Sequence, residues 1–315
     1  MSISGTEELA AEFERHRGHL VGVAYRITGT LADAEDAVQE AWLRLCRADV
    51  DELRDVRAWL TTVVGRLGLD QLRSAAVRRE RYFGPWLPEP ILTTPDTDDP
   101  LAQVVLDDDV RMAALVVLER LTPEQRVAFV LHDAFAVPFA EIASVLGCSV
   151  EAARQHASRG RRAVADADPP PRASLDEQQE LLGELATAVT SGDLDAVVRL
   201  LHPDVVMIGD GGGKALAAGR PLRGSREVAN FLLGLARIYG LGAEVFEPVL
   251  VNGDFGILVR SQPTDDGRMV PATASVAAVR DGRIVALYNV VNPDKLSRLP
   301  KPGPAAAPPQ PHSSS

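Results

Sequence analysis

Residues 139–162 read FAEIASVLGCSVEAARQHASRGRR, and their spacing predicts a helix-turn-helix. Ile142, Ala143 and Leu146 form an apolar stripe on a first helix, and Gly147 follows where the chain must turn with φ above zero, a conformation glycine tolerates best. Ser149 suits the N-cap of a second helix, Glu151 suits its positive end, and Ala152, Ala153 and Ala157 give it a packed side. Arg154, Gln155, Ser158, Arg159, Arg161 and Arg162 are left for the outer face and the trailing end. A helix so decorated fits a major groove, where arginine and glutamine reach base edges or phosphates. The same residues also fit a helical hairpin with a solvated basic end. His156 falls near the inner stripe, which favours packing over base contact.

The rest of the chain qualifies this reading. Its 315 residues leave room for two or three domains. The net charge is −11, whereas a self-sufficient DNA binder carries a basic excess that releases counterions from phosphate. Acid and base are instead segregated. Residues 151–162 hold four arginines against one glutamate, residues 66–81 five arginines against two acids, and residues 86–120 eight acids against two arginines. Cys46 and Cys148 each lie in an apolar helical pattern, so neither a disulfide framework nor a metal site is expected. The acidic N-terminus lacks a signal-peptide apolar run, and no stretch is long enough to span a bilayer; a cytoplasmic protein with no membrane partner is expected.

Upstream of the helix-turn-helix, residues 1–83 read as all helix. Ala34, Ala37, Val38, Ala41, Trp42 and Leu45 recur at helical spacing, with Asp33, Glu35, Asp36, Gln39 and Glu40 away from the stripe. A second helix from about Arg57 carries Trp59, Leu60, Val63, Val64, Leu67 and Leu72 inward, and Arg66, Arg73, Arg78, Arg79 and Arg81 supply charge. Prolines in GPWLPEPILTTPDTDDP (84–100) exclude helix, so residues 84–110 are expected to be a linker. Residues 111–166 form a second helical unit in which Thr122 caps a helix that starts at Pro123. DPPPR makes 167–173 another break. Beyond it, residues 174–297 alternate helices with apolar runs near 205–208, 245–251, 255–260, 273–280 and 284–291, which predicts an α+β cone. Residues 298–315, rich in Pro, Ala and Ser, are expected to be a disordered tail.

DAEDAVQEAWLRL (33–45), RAWLTTVVGRLGLDQLR (57–73), LTPEQRVAFVLHD (121–133) and the helix-turn-helix follow one another in an order that resembles a group IV, or extracytoplasmic-function, sigma factor of bacterial RNA polymerase. The resemblance implies that residues 1–83 are region 2 and residues 111–166 region 4. Asp33, Glu35, Asp36, Gln39 and Glu40 would then face the clamp helices of the polymerase β′ subunit. Arg66, Asp70 and Arg73 would read and melt the −10 element, Arg66 replacing the asparagine of many relatives. Arg154, Gln155, Arg159, Arg161 and Arg162 would read the −35 element, and region 4 would meet the β flap. Residues 174–297 resemble a SnoaL-like domain of the NTF2-like superfamily, as in the sigma J type subgroup.

Three signatures carry that second resemblance: WLPEP (Trp86, Leu87, Pro88, Glu89, Pro90), DGGGK (Asp210, Gly211, Gly212, Gly213, Lys214) and NPDKL (Asn292, Pro293, Asp294, Lys295, Leu296). It implies regulation in cis, without a dedicated anti-sigma factor, the appended domain touching the linker through its DGGGK loop. On its own residues, WLPEP is a stiff extended ligand for a groove, and Lys214 is placed to pair with Glu89; a plain spacer also fits.

Catalytic readings find little footing. IGDGGGKAL has Ile208 and Ala215 where a phosphate loop needs glycine and Ser or Thr, so no nucleotide cofactor is expected. Asp210 is the obvious candidate base of a cyclase or isomerase, but no acid partner accompanies it. Sensing of a small molecule in the cone is compatible with the fold and names no ligand. A helix-turn-helix regulator with such a sensing domain is the alternative; it needs neither the acidic helix at 33–45 nor the basic one after Trp59.

Overall fold

The computed structural model describes residues 6–79, 82–94 and 110–300, so Arg81, the acidic linker from 95 to 109 and the Pro-Ala-Ser tail after 300 lie outside the described residues. Of Arg78 and Arg79 only the backbone is described. Helices α1 (Thr6–Thr28), α2 (Leu31–Leu45) and α3 (Val56–Arg79) form the first unit. Thr30 caps α2 by accepting from the Asp33 amide, and Ala34, Ala37, Val38, Ala41 and Leu45 are buried.

The second unit comprises α4 (Met112–Leu118), α5 (Pro123–Phe129), α6 (Phe139–Leu146) and α7 (Val150–Ala167). Thr122 and Gln125 close a capping box at the start of α5, which runs on into a π turn over Val130–Ala134. Gly147 adopts φ 67° between α6 and α7, and Ser149 accepts from the Ala152 amide. The predicted helix-turn-helix is present. Gly160 lets α7 press on α5, since a Cβ there would stand 2.9 Å from Phe129. The two units share one hydrophobic core, with Ile27, Leu60 and Val64 packed together with Val127, Leu131 and Ile142.

The third unit lays α8 (Leu175–Ser191), α9 (Leu194–Leu200) and α10 (Ser225–Tyr239) on a sheet ordered β1-β4-β5-β8-β9-β2-β3. The strands are β1 (Leu92–Thr93), β2 (Leu201–Asp210), β3 (Leu222–Arg223), β4 (Glu247–Val251), β5 (Asp254–Val259), β8 (Thr273–Arg280) and β9 (Arg283–Val290); β6 (Gln262–Pro263) and β7 (Met269–Val270) form a separate ribbon. Only β2 and β9 run parallel among these pairs. This is the expected α+β class.

Strand alternation gives the sheet two buried faces. Met207, Ala277 and Leu287 meet the helices, whereas Val249, Val276, Tyr288 and Val290 pack on Leu87 of the linker and on Met112, Ala113 and Val116 of α4. The linker differs from expectation in one respect: Leu92 and Thr93 pair with Val251 and Leu250, so it supplies the edge strand. A two-residue strand leaves no alternation to read. The expected disordered tail also starts too early, because Arg298 and the Pro300 carbonyl are held by Glu35 and Arg260. No helix of the described residues is long and apolar enough to cross a membrane.

Candidate DNA-reading faces and the linker cradle

On α2, Asp36 and Gln39 are exposed, Asp33 is drawn into the cap through Thr30, and Glu40 pairs with Arg44. Glu35 is already occupied. Both its oxygens accept from Arg298, at 2.9 and 2.6 Å, and these bonds hold its carboxyl below the usual glutamate range.

The predicted −10 residues on α3 turn toward the second unit. Arg66 donates to the Ser144 carbonyl at 2.9 Å, Arg73 pairs with Glu124 at 2.9 Å, and Thr62 donates to Glu141 at 3.2 Å. Gly65 permits this approach, since a Cβ would lie 2.9 Å from Leu131. Asp70 stays exposed. The basic face of α3 and the helix-turn-helix are thus in contact with each other.

On α7, Arg154, Gln155, Ser158, Arg159 and Arg162 are exposed along one flank. Arg154 lies 3.7 Å from Glu151 and over the Phe139 ring at 5.7 Å, while Arg161 is bound to Asp133 at 2.7 Å. His156 is half-buried, as its spacing indicates.

The three signature motifs converge on the linker. Asp210 is fully buried and accepts from the Leu87 amide (2.8 Å), the Lys295 ammonium (2.6 Å), the Gly212 amide (3.1 Å) and the Tyr82 hydroxyl. Lys295 also donates to the Leu87 carbonyl and stands 3.8 Å from the centre of the Trp86 ring. The Leu87 peptide is therefore gripped at both ends. Burial, then the Asp210 carboxylate, keeps the Tyr82 phenol protonated. Gly212, at φ 58°, leaves room for Asn292, whose amide donates to Tyr82 at 2.8 Å, and Gly213 lies against Phe83. Pro88 and Pro90 are buried, and Pro293 opens the short turn that sets Lys295 and buried Leu296 in place. Gly211 accepts from the Lys214 amide to tighten the loop.

One expectation needs correction. Lys214 does not meet Glu89; it bonds the exposed Asp294 at 2.6 Å, and the linker-gripping lysine is Lys295. Asp210 is no catalytic base, because its oxygens are consumed by donors and strand alternation turns it away from the helix-covered face.

Glu89 instead caps α2, accepting from the Leu31 amide at 2.8 Å, where a helix N-terminus favours negative charge. Burial outweighs that bond and raises its pKa. A raised acid pKa means that the folded chain keeps a proton the unfolded chain has lost. The associated stability is full below the ordinary glutamate value of about 4.3 and is lost as pH rises through the raised value. Glu89→Gln, which mimics the protonated acid, is therefore expected to flatten this decline, matching the native chain in urea unfolding at low pH and equalling or exceeding it at neutral pH. A loss above about 1.5 kcal/mol would mean that the ionised carboxylate is required.

Several holding residues were not singled out by the sequence. Asn252, in the turn between β4 and β5, accepts from the Ile91 amide (3.1 Å) and donates to the Tyr25 hydroxyl (2.9 Å), which in turn donates to the Glu89 carbonyl. Two residues on, buried Asp254 accepts from Arg111, Arg172 and Gln178 at 3.0 to 3.2 Å. One hairpin turn thus ties the first unit, both linkers and the start of the second unit. Under α10, a cavity of about 120 Å³ is lined by Phe231, Leu235, Ser275 and Asn289. The Asn289 Oδ1 is buried there without a hydrogen-bond partner. Among the described residues, no cluster of His, Cys, Asp and Glu could hold a metal.

Comparison with known proteins follows the same three-part division. Family models match at residues 13–78 (Sigma-70 region 2), 111–164 (Sigma-70, region 4) and 182–287 (SnoaL-like domain). Over 298 residues the chain is 54% identical to the ECF RNA polymerase sigma factor SigJ of Mycobacterium tuberculosis, covering 92% of this chain and 94% of that protein. It is 38% identical over 209 residues to the probable ECF RNA polymerase sigma factor SigI of that species, covering 64% of this chain and 70% of the relative. The crystal structure of the Mycobacterium tuberculosis extracytoplasmic function sigma factor SigJ superposes with a TM-score of 0.77 at 52% identity, over 91% of this chain and 98% of that one.

Proposed function

Because the chain belongs to the extracytoplasmic-function RNA polymerase sigma factors, with a SnoaL-like domain fused behind its two sigma regions, we propose that this domain holds the promoter-reading regions closed until core polymerase engages. The family's work is transcription initiation, not catalysis, and its partners are RNA polymerase core and promoter DNA. Asp33, Glu35, Asp36, Gln39 and Glu40 on α2 meet the β′ clamp, and region 4 meets the β flap. Arg66, Asp70 and Arg73 serve the −10 element, and Arg154, Gln155, Arg159, Arg161 and Arg162 the −35 element.

The observation that carries regulation in cis is the grip on Leu87: a carboxylate and an ammonium of the third domain bind the amide and carbonyl of one linker peptide. Opening the molecule for DNA must also release Arg66, Arg73 and Glu35 from their present partners. These contacts do the restraining without a separate anti-sigma factor. The cavity at Asn289 is the small-molecule site of the third domain, because a buried amide without a partner gains from a polar ligand atom.

Run-off transcription with core enzyme on a cognate promoter tests the reading. The native chain is expected to support initiation, and Asp210→Ala and Trp86→Ala to alter its level. Lys214→Ala, which removes only an exposed ion pair, is expected to change it less than about fivefold. Unchanged output in both Asp210→Ala and Trp86→Ala would remove the cis contact, and specific promoter binding without core in a gel shift would favour an ordinary regulator.

A further inference from the structure

A second cavity, of about 260 Å³, opens where the second unit, the 167–173 linker and the sheet of the third unit meet. Its walls are apolar on one side, with Val116, Ile208 and Val285, and cationic on the other, with Arg120, Arg223 and Arg280 against the single carboxylate of Asp168. Arg280 is spent on that aspartate at 2.9 Å. Arg120 and Arg223 are exposed, and neither guanidinium has an ion-pair or hydrogen-bond partner among the described residues. In a chain of net charge −11, two unengaged arginines at one cavity stand out against the average surface.

Tyr288 supplies an independent observation. The side chain is 8% exposed, lines the cavity, and its hydroxyl has no hydrogen-bond partner among the described residues. Burial keeps the phenol protonated, with the guanidinium of Arg120 working against that. It is thus a donor on the cavity wall beside the field of Arg120, with no protein acceptor among the described residues. The hydroxyl opens onto the cavity, where an acceptor that enters can take its proton in a hydrogen bond.

We propose that this cleft binds a small amphiphilic anion, a carboxylate carried on an apolar ring or chain. Arg120 and Arg223 take the carboxylate, Tyr288 donates to it, and Val116, Ile208 and Val285 enclose the apolar part. Inorganic phosphate would leave the apolar wall uncovered, and a DNA backbone brings no apolar group to it. The cavity lies just under the range of about 300–1,000 Å³ usual for ligand pockets, which restricts the occupant to a single ring or medium chain. Such a ligand would bridge region 4 and the SnoaL-like domain. The site is separate from the cavity at Asn289 and stands whether or not the cis grip regulates transcription.

Isothermal titration of the full chain with octanoate, octanol and inorganic phosphate decides the matter. Octanoate is expected to bind one saturable site, with octanol and phosphate at least about tenfold weaker. Arg120→Ala with Arg223→Ala is expected to weaken octanoate at least about tenfold and Tyr288→Phe severalfold. Both arginines are exposed, so circular dichroism should show the double variant folded. Absence of saturable octanoate binding would overturn the proposal. So would equal binding of octanol or phosphate, or an undiminished affinity in the arginine double variant, which would place octanoate in another cavity.

Discussion

Replacing Lys295 by methionine is expected to lower the unfolding free energy of the full chain by about 3–5 kcal/mol, because breaking a buried ion pair from one side leaves the other charge unpaired. Asp210 is wholly buried and Lys295 is 9% exposed, so water cannot take over the lost ammonium. The bond to the Leu87 carbonyl and the cation's contact with Trp86 disappear in the same step. Adding Asp210→Asn should recover part of the loss, since an amide oxygen still accepts from Leu87 and no charge remains. A double-mutant cycle from urea unfolding, followed by tryptophan fluorescence, measures both terms. If Lys295→Met costs under about 1 kcal/mol, like an exposed pair, the grip is not the buried clasp described. Should that variant also raise run-off transcription, release of Leu87 is the opening step; unchanged transcription would confine the clasp to stability.

How much of this was legible in the sequence depends on the distance over which each signal acts. The helix-turn-helix was readable because Ile142, Gly147, Ser149 and Ala153 sit within one short window and each acts on its immediate neighbours. The strands at 273–280 and 283–290 were readable for the same reason. The three signatures identified the parts of the cradle, yet which lysine faces the buried aspartate is a matter of tertiary placement. Lys214 lies four residues from Asp210 and turns outward, whereas Lys295 arrives from across the domain on the short turn begun by Asn292. Tyr25, Tyr82 and Asp254 had no signal at all, being single residues whose partners lie 64 to 227 positions away. Asn252 did have one. An Asn-Gly pair between two apolar runs marks a hairpin turn, although nothing local says that the turn will bind a linker. The contact of Arg66 and Arg73 with the second unit was hidden for a related reason. A basic helix face gives its charge from sequence but not its occupant.

That distinction bears most on the proposed −35 helix, where sequence alone treated Arg154, Gln155, Arg159, Arg161 and Arg162 alike. The structure separates them. Arg154 lies in the N-terminal part of α7, the end from which such a helix reads bases, and among the described residues its ion pair is with exposed Glu151 at 3.7 Å. Arg161 points off the flank to Asp133 at 2.7 Å. In holoenzyme reconstituted with core, Arg154→Ala is therefore expected to weaken promoter binding by about 1–3 kcal/mol, or roughly 5–150-fold. Arg161→Ala should weaken it far less, since its guanidinium already has a partner. Fluorescence anisotropy on duplexes with native and scrambled −35 elements separates base reading from phosphate contact. A base-reading Arg154 loses its advantage on the scrambled duplex. An equal loss on both duplexes, with the salt slope reduced by about one, would make Arg154 a phosphate contact and pass base reading to Gln155 and its neighbours on the same flank.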